Sequence, residues 1–136
     1  MRKFLSGLAH VALLTVIVGC GGPAAPKMAT VKGKINIDAS PLASGKIAFE
    51  GTDGTPPIIL DIKNGVYEGQ VTVGPKTIRI MSYKTVAMPK TGMTGPEYDN
   101  QKIEENIIPA RYNTESKTVK EIVEGTNEID LGVTAK

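Results

Sequence analysis

Few residues in this 136-residue chain are equipped for chemistry. It has one His, His10, one Cys, Cys20, and no Trp. A lone Cys excludes a disulfide within the chain, and one Cys with one His excludes a zinc centre built mainly from those ligands. The other acid–base groups are carboxylates, Lys and Tyr. Tyr98 and Lys102 stand four apart, a spacing at which a phenol and an ammonium could share a proton. No Gly-rich strand–turn–helix precedes them, so a dinucleotide has no seat. Ser82 and Lys84 would share one strand face and could form a Ser-Lys pair; they read as a strand-end Ser and a solvated Lys. Glu97, Asp99, Glu104 and Glu105 are hard oxygen donors of the kind that hold Ca²⁺. Their spacing fits no calcium loop and Lys102 sits among them, so they read as a solvated acidic stretch and no metal is expected. Arg111 and Tyr112 are more specific. A guanidinium can pair bidentately with a carboxylate and a phenol ring can cover an apolar edge. They serve either to fasten their segment to the body of the domain or, together with Tyr98, to contact a ligand or partner. With no Trp and four Tyr, the chain is poor material for a carbohydrate platform.

The elements that must position these residues begin with an N-terminal address. Arg2 and Lys3 precede an apolar run, Leu8 to Val18, broken only by His10 and Thr15. Eleven helical residues span roughly 16 Å against a hydrocarbon core of about 30 Å. That suits a signal peptide, not a stable transmembrane helix. The run ends in Ile17-Val18-Gly19-Cys20, which resembles the lipobox of bacterial lipoproteins. The resemblance implies cleavage between Gly19 and Cys20 and acylation of the Cys20 thiol, which removes both His10 and the only thiol from any chemistry. Ser-His-Asp and Cys-His catalysis are then excluded. Two or three acyl chains anchor stably, at about 0.8 kcal/mol per buried CH₂. Gly21 is not the Asp that often signals inner-membrane retention, so the outer membrane or cell surface is the expected address.

The expected organisation is residues 1–19 as signal peptide, 20–28 as lipidated Cys and tether, and 29–136 as one domain. The tether, GGPAAPKM, is rich in Gly, Ala and Pro and has no apolar period. From Cys20 onward there are 13 Ile, 8 Val and 12 Thr against 3 Leu and 1 Phe. β-Branched residues favour the pleated strand, and no helical period is sustained. Seven strands are predicted: Thr30–Asp38, Lys46–Glu50, Ile58–Lys63, Val66–Val73, Lys76–Tyr83, Lys117–Val123 and Glu128–Val133. Val31, Ile35 and Ile37 face inward in the first, Ile47 and Phe49 in the second, and Ile58, Leu60 and Ile62 in the third. Ile78 and Ile80 face inward in the fifth, with Arg79 and Met81 outward; in the sixth, Thr118/Ile122 and Val119/Val123 compete for the inner face. Asn64-Gly65 reads as a tight hairpin turn, Gly69 as a bulge, and Gly74-Pro75 and Glu124–Asn127 as turns. This pattern predicts an all-β fold, a seven-stranded antiparallel β-sandwich. Lys84 to Thr114 is the long interruption, a loop in which Ile103–Tyr112 packs locally. Loops of this length are often functional.

Val31-Lys-Gly-Lys-Ile-Asn-Ile-Asp38, then Pro41-Leu42, Gly45 and Ile47-Ala-Phe49, resembles the opening of carboxypeptidase regulatory-like (transthyretin-like) domains. Asn64-Gly65-x-Tyr67 and Gly74-Pro75 resemble the later hairpin of that family. Asp38-Ala39-Ser40 lacks the usual Gly, and Lys76-Thr77 replaces the usual second aromatic. Ile108-Pro-Ala-Arg-Tyr-Asn113 with Ser116, then Gly125-x-Asn127-x-Ile-Asp-Leu131, looks like a small lipoprotein family of planctomycete-type bacteria. These resemblances imply a sandwich fold in the cell envelope and supply no catalytic residues.

Charge narrows the partners. The formal +2 comes from Arg2 and Lys3; without them 14 basic residues face 14 acidic ones. A neutral domain gives nucleic acid nothing to bind. The expectation is a non-catalytic structural or interaction module without cofactor, anchored in the membrane, with an envelope protein or polysaccharide as partner. The alternative is a small-ligand or glycan binder using residues 84–114.

Overall fold

The computed structural model describes residues 24–89, 92, 95 and 101–135. Gly19, Cys20, Glu97, Tyr98 and Asp99 lie outside them, so the cleavage, acylation and Tyr98 expectations do too. The described residues form strands and a single 3-10 turn, with no α-helix among them. In chain order the strands are β1 (Met28–Ile37), β2 (Ser40–Pro41), β3 (Ser44–Gly51), β4 (Ile58–Lys63), β5 (Val66–Thr72) and β6 (Gly74–Met81). β7 (Tyr83–Ala87), β8 (Lys102–Asn106), β9 (Val119–Ile122), β10 (Thr126–Glu128) and β11 (Leu131–Val133) follow, with the 3-10 turn at Ala110–Tyr112 between β8 and β9.

The protein is all-β, and its sheets curl into a sandwich-like arrangement. One hydrogen-bonded path runs β10-β1-β5-β4-β3-β6-β9, with β2 and β11 also on β1. β4 and β5 are joined by Asn64-Gly65, whose φ values of 52° and 75° suit a hairpin turn. They pair only at Lys63↔Val66 and then splay, and this divides the path into two facing halves. The alternation of apolar residues fills the space between. Val31, Ile35, Ile47, Phe49, Ile62 and Val71 are all buried, as are Ile78 and Ile80 of β6. Each contributes about 1.5–3 kcal/mol by leaving water. Of the competing pairs in the sixth predicted strand, Ile122 is buried while Val119 and Val123 are exposed.

Several details differ from the sequence reading. The last predicted strand, Glu128–Val133, is interrupted: β11 keeps its end, while β10 begins at Thr126, inside the predicted Glu124–Asn127 turn; both run parallel to β1, so the sheet is not purely antiparallel. The break falls at Ile129–Asp130. There Tyr67 Oη donates to the Ile129 carbonyl at 2.7 Å and the Asp130 carboxylate accepts from Lys34 N at 2.7 Å. Gly69 is no bulge: β5 keeps its register through Val31↔Gly69. Its missing side chain makes room for Leu60, since a Cβ there would lie 2.4 Å from Leu60 Cδ2. Residues 84–114 are not all loop. β7 and β8 form a separate two-stranded sheet, so the strands number more than seven.

Candidate functional site

The β7–β8 ribbon overhangs a groove of about 580 Å³, lined by Lys84, Val86, Glu105, Asn106, Ile107, Ile108, Pro109, Ala110, Asn113 and Thr114. Ladder geometry sets which ribbon residues face it. Ile107 N donates to Ser82 O and Met88 N to Gln101 O, both at 2.9 Å. Lys84↔Glu105 and Val86↔Ile103 are therefore the pairs that exchange backbone bonds. They share one face of the ribbon, and Lys84, Val86 and Glu105 reach the groove from it.

Asn106 is the hinge of the groove. Its side-chain oxygen accepts from Ser82 N at 3.2 Å and from Ile108 N at 3.1 Å, tying the end of β8 to the end of β6. Ile108 then enters the core, and Pro109 is buried beside it. The floor continues through the 3-10 turn, which Arg79 holds from below. Arg79 donates from Nε to Glu50 at 2.6 Å and from one terminal nitrogen to the carbonyls of Asn113 (2.6 Å) and Thr114 (2.8 Å). The guanidinium fork thus fastens the 107–118 segment across β6, as the charge-assisted bonds of a planar donor set allow. Ser116 Oγ adds a bond to the Ile78 carbonyl at 2.5 Å.

Arg111 and Tyr112 are brought together, but beside the groove and not in it. The guanidinium carbon lies 4.8 Å from the Tyr112 ring centroid, a cation–π distance. Arg111 donates to the Thr134 carbonyl at 2.8 Å, and Tyr112 Oη lies 2.9 Å from Thr134 Oγ1. The Thr134 hydroxyl first, and Arg111 second, draw the Tyr112 phenol down to about 8. The pair clamps the turn onto the C-terminal segment, where Ala135 N also donates to Asp38 at 3.0 Å. Tyr112 further roofs a small void of about 60 Å³ over Ile78 and Ile80.

The other chemical groupings separate. Ser82 Oγ donates to the Ser44 carbonyl at 2.7 Å, so its hydroxyl proton is committed and Ser82 is buried while Lys84 is exposed. Glu104 and Glu105 are successive on β8 and point to opposite faces. Among the described residues, no three His, Cys, Asp or Glu side chains gather to hold a metal.

Three residues, two at the site and one at the far end of the sandwich, have structural roles that sequence reasoning missed. Arg79 was an outward strand residue, and Asn106 one polar residue in a polar run. Asn127, buried in β10, holds the turn before it: its oxygen accepts from Val123 N at 3.0 Å and its amide donates to Val123 O at 2.8 Å. The Gly125-x-Asn127 spacing was the only hint.

No protein-family model matches the chain, and no curated protein matches it. Among solved structures, a DUF3823 family protein from Parabacteroides merdae is similar, with a TM-score of 0.41 and 15% identity. The match covers 82% of this chain and 48% of that one, so the chain spans about half the length of that protein. A likeness this distant carries no argument about function.

Proposed function

We propose that the chain is a lipid-anchored, non-catalytic interaction module of a bacterial cell envelope, held by acylated Cys20 and binding a partner through the β7–β8 ribbon and its groove. The observation that carries the interaction role is the ribbon itself. No residue of β7 or β8 is buried. Ordering each residue costs about 1–2 kcal/mol, and the ribbon offsets none of this by filling the core. Binding residues are carried disproportionately by surface segments that a rigid scaffold positions. The anchor rests on Arg2-Lys3, the apolar run and Ile17-Val18-Gly19-Cys20. The non-catalytic reading rests on a mature chain without His and on the Ser82 hydroxyl being engaged. The expected address is the outer membrane or cell surface, and the resemblance to carboxypeptidase regulatory-like domains agrees with an accessory role.

A photo-activatable residue at Val86 tests the reading in native envelopes. A discrete adduct is expected, absent when the probe replaces Lys63 on the sandwich. Equal, diffuse labelling from both positions would count against it. For the anchor, Cys20→Ala is expected to release the protein into the soluble fraction without acyl label.

A second reading, a small-ligand or glycan binder, is favoured by the groove volume of about 580 Å³, which lies within the range of about 300–1,000 Å³ common for ligand pockets. Saturable heats on titrating envelope oligosaccharides, abolished by Asn113→Ala, would select it.

A further inference from the structure

The two ends of the sandwich are unlike, and the backbone fixes which end meets the tether. Lys27, just before β1, is already docked. Its carbonyl accepts from Val73 N at 2.9 Å and its ammonium pairs with Glu124. Strand register gathers other parts at this end: Gly51 of β3 lies opposite Lys76, and Gly74 opposite Ile122. The Gly51–Pro57 loop, the Val73–Gly74 corner and the Val123–Gly125 turn therefore form one rim with Lys27 and Met28. β6 runs away from this rim for eight residues, seven Cα steps of roughly 3.3 Å or about 23 Å, and hands the chain through Ser82 to β7. The ribbon and groove sit at the opposite end, where Ser82 meets Ser44.

Six residues, Gly21 to Pro26, separate Cys20 from the docked Lys27. Seven Cα steps reach about 25 Å at most, less than the nine steps from Gly74 to Tyr83, about 30 Å at roughly 3.3 Å each, that separate the rim from the ribbon. Resting on the anchoring of Cys20 proposed above, we propose that the rim of Lys27–Met28, the Gly51–Pro57 loop and the Val123–Gly125 turn lies against the bilayer, its partner being a lipid surface, and that the β7–β8 ribbon consequently points away from that bilayer.

The rim is suited to lie there. Lys27 is offset by Glu124, and Lys76, itself buried, lies beside Asp53, whose carboxylate is also held within its own loop by Thr55 N and Oγ1. Lys120 and Glu121, just behind, again carry one charge of each sign. An anionic headgroup layer, which attracts clustered basic residues, meets no net negative charge here. Two apolar side chains, Met28 and Val123, stand 48% and 56% exposed at this end with nothing of the described chain over them.

The acylated Cys20 leaves an introduced Cys as the sole free thiol, so Thr52→Cys, Val123→Cys and Met88→Cys can each carry one fluorophore. All three positions are exposed. The full acylated protein is placed in phosphatidylethanolamine/phosphatidylglycerol vesicles containing a headgroup-borne quencher. Quenching at 52 and 123 is expected to be severalfold stronger than at 88. Equal quenching at the three positions, or stronger quenching at 88, in protein that floats with the vesicles overturns the proposal and leaves the anchor standing. Failure of the acylated parent protein to float overturns the anchor and this proposal with it.

Discussion

At Gly33 a hydrogen in place of a methyl decides how the C-terminal strands meet β1. A Cβ there would lie 1.9 Å from the Ile129 carbonyl oxygen and 3.0 Å from Tyr67 Oη. The obstacle is backbone, so it cannot swing aside as a side chain could. Gly33→Ala is expected to cost about 3 kcal/mol or more, in the range of a strained or overpacked core, read as a lowered midpoint in urea. Tyr67→Phe leaves the shape and removes the donor to the same carbonyl, at an expected cost of about 1–3 kcal/mol. The tyrosines also separate by pH. Burial first, and Asp130 second, push Tyr67 far above its ordinary value of 10.0, so it ionises only as the fold is lost. Tyr112 is drawn down to about 8 from 10.0. A folded value below the unfolded one favours the tyrosinate in the folded chain. Its contribution is therefore absent below pH 8, grows between about 8 and 10, and is complete above 10. Absorbance at alkaline pH should show one tyrosine ionising near pH 8, and Thr134→Val should move it back toward 10.

The elements legible in the sequence are those with one face on the core. In 30–38, 46–50, 58–63 and 76–83, an Ile, Val, Leu or Phe recurs at alternate positions because one side of the strand faces the core. β7 and β8 break that link. YKTVA and KIEEN bury no residue on either face, so no period marks them, and only the ladder Tyr83↔Asn106 to Ala87↔Lys102 defines the ribbon. The break at Ile129–Asp130 was hidden for another reason: Ile129, Leu131 and Val133 alternate without interruption, while the groups that interrupt the ladder belong to Tyr67 and Lys34. Of the site, Arg111 and Tyr112 were visible as residue types, but their partner Thr134 was not. Because the ribbon adds nothing to the core, it should be removable. Lys84↔Glu105 exchanges backbone bonds, so replacing Thr85–Glu104 with Asn-Gly would close a two-residue hairpin on it. The shortened protein is expected to melt within a few degrees of the parent and to lose its partner. A collapse of the melting temperature would show the ribbon to be structural.

The whole molecule is organised on β1, which is shared by four other strands. β5 pairs along one edge through Met28↔Thr72 to Lys34↔Val66. β10 and β11 continue in one parallel register from Thr30↔Thr126 to Ile37↔Val133, and β2 folds back on the end of β1. The N- and C-terminal parts of the domain therefore complete one sheet, with pairs 96 residues apart. Such pairing can be written into neither segment alone, which is why local pattern found β1 and β11, took most of β10 for a turn and missed their parallel union. It also puts much of the stability in the last stretch of chain. Ending the chain at Gly125 would remove Ile129, Leu131 and Val133 from the core, at about 1.5–3 kcal/mol apiece. It would also strip Tyr67 of its acceptor, β9 of the Asn127 brace and Tyr112 of Thr134. Against a total of about 5–15 kcal/mol for a domain, that loss is of the order of the whole. The truncated protein is expected to show no cooperative unfolding transition, and a peptide of residues 126–136 added in excess should restore one, because its register on β1 and its buried side chains are intact. A truncated chain that melts cooperatively within a few degrees of the parent would place the stabilising contacts elsewhere, in the β3–β6 half of the sandwich.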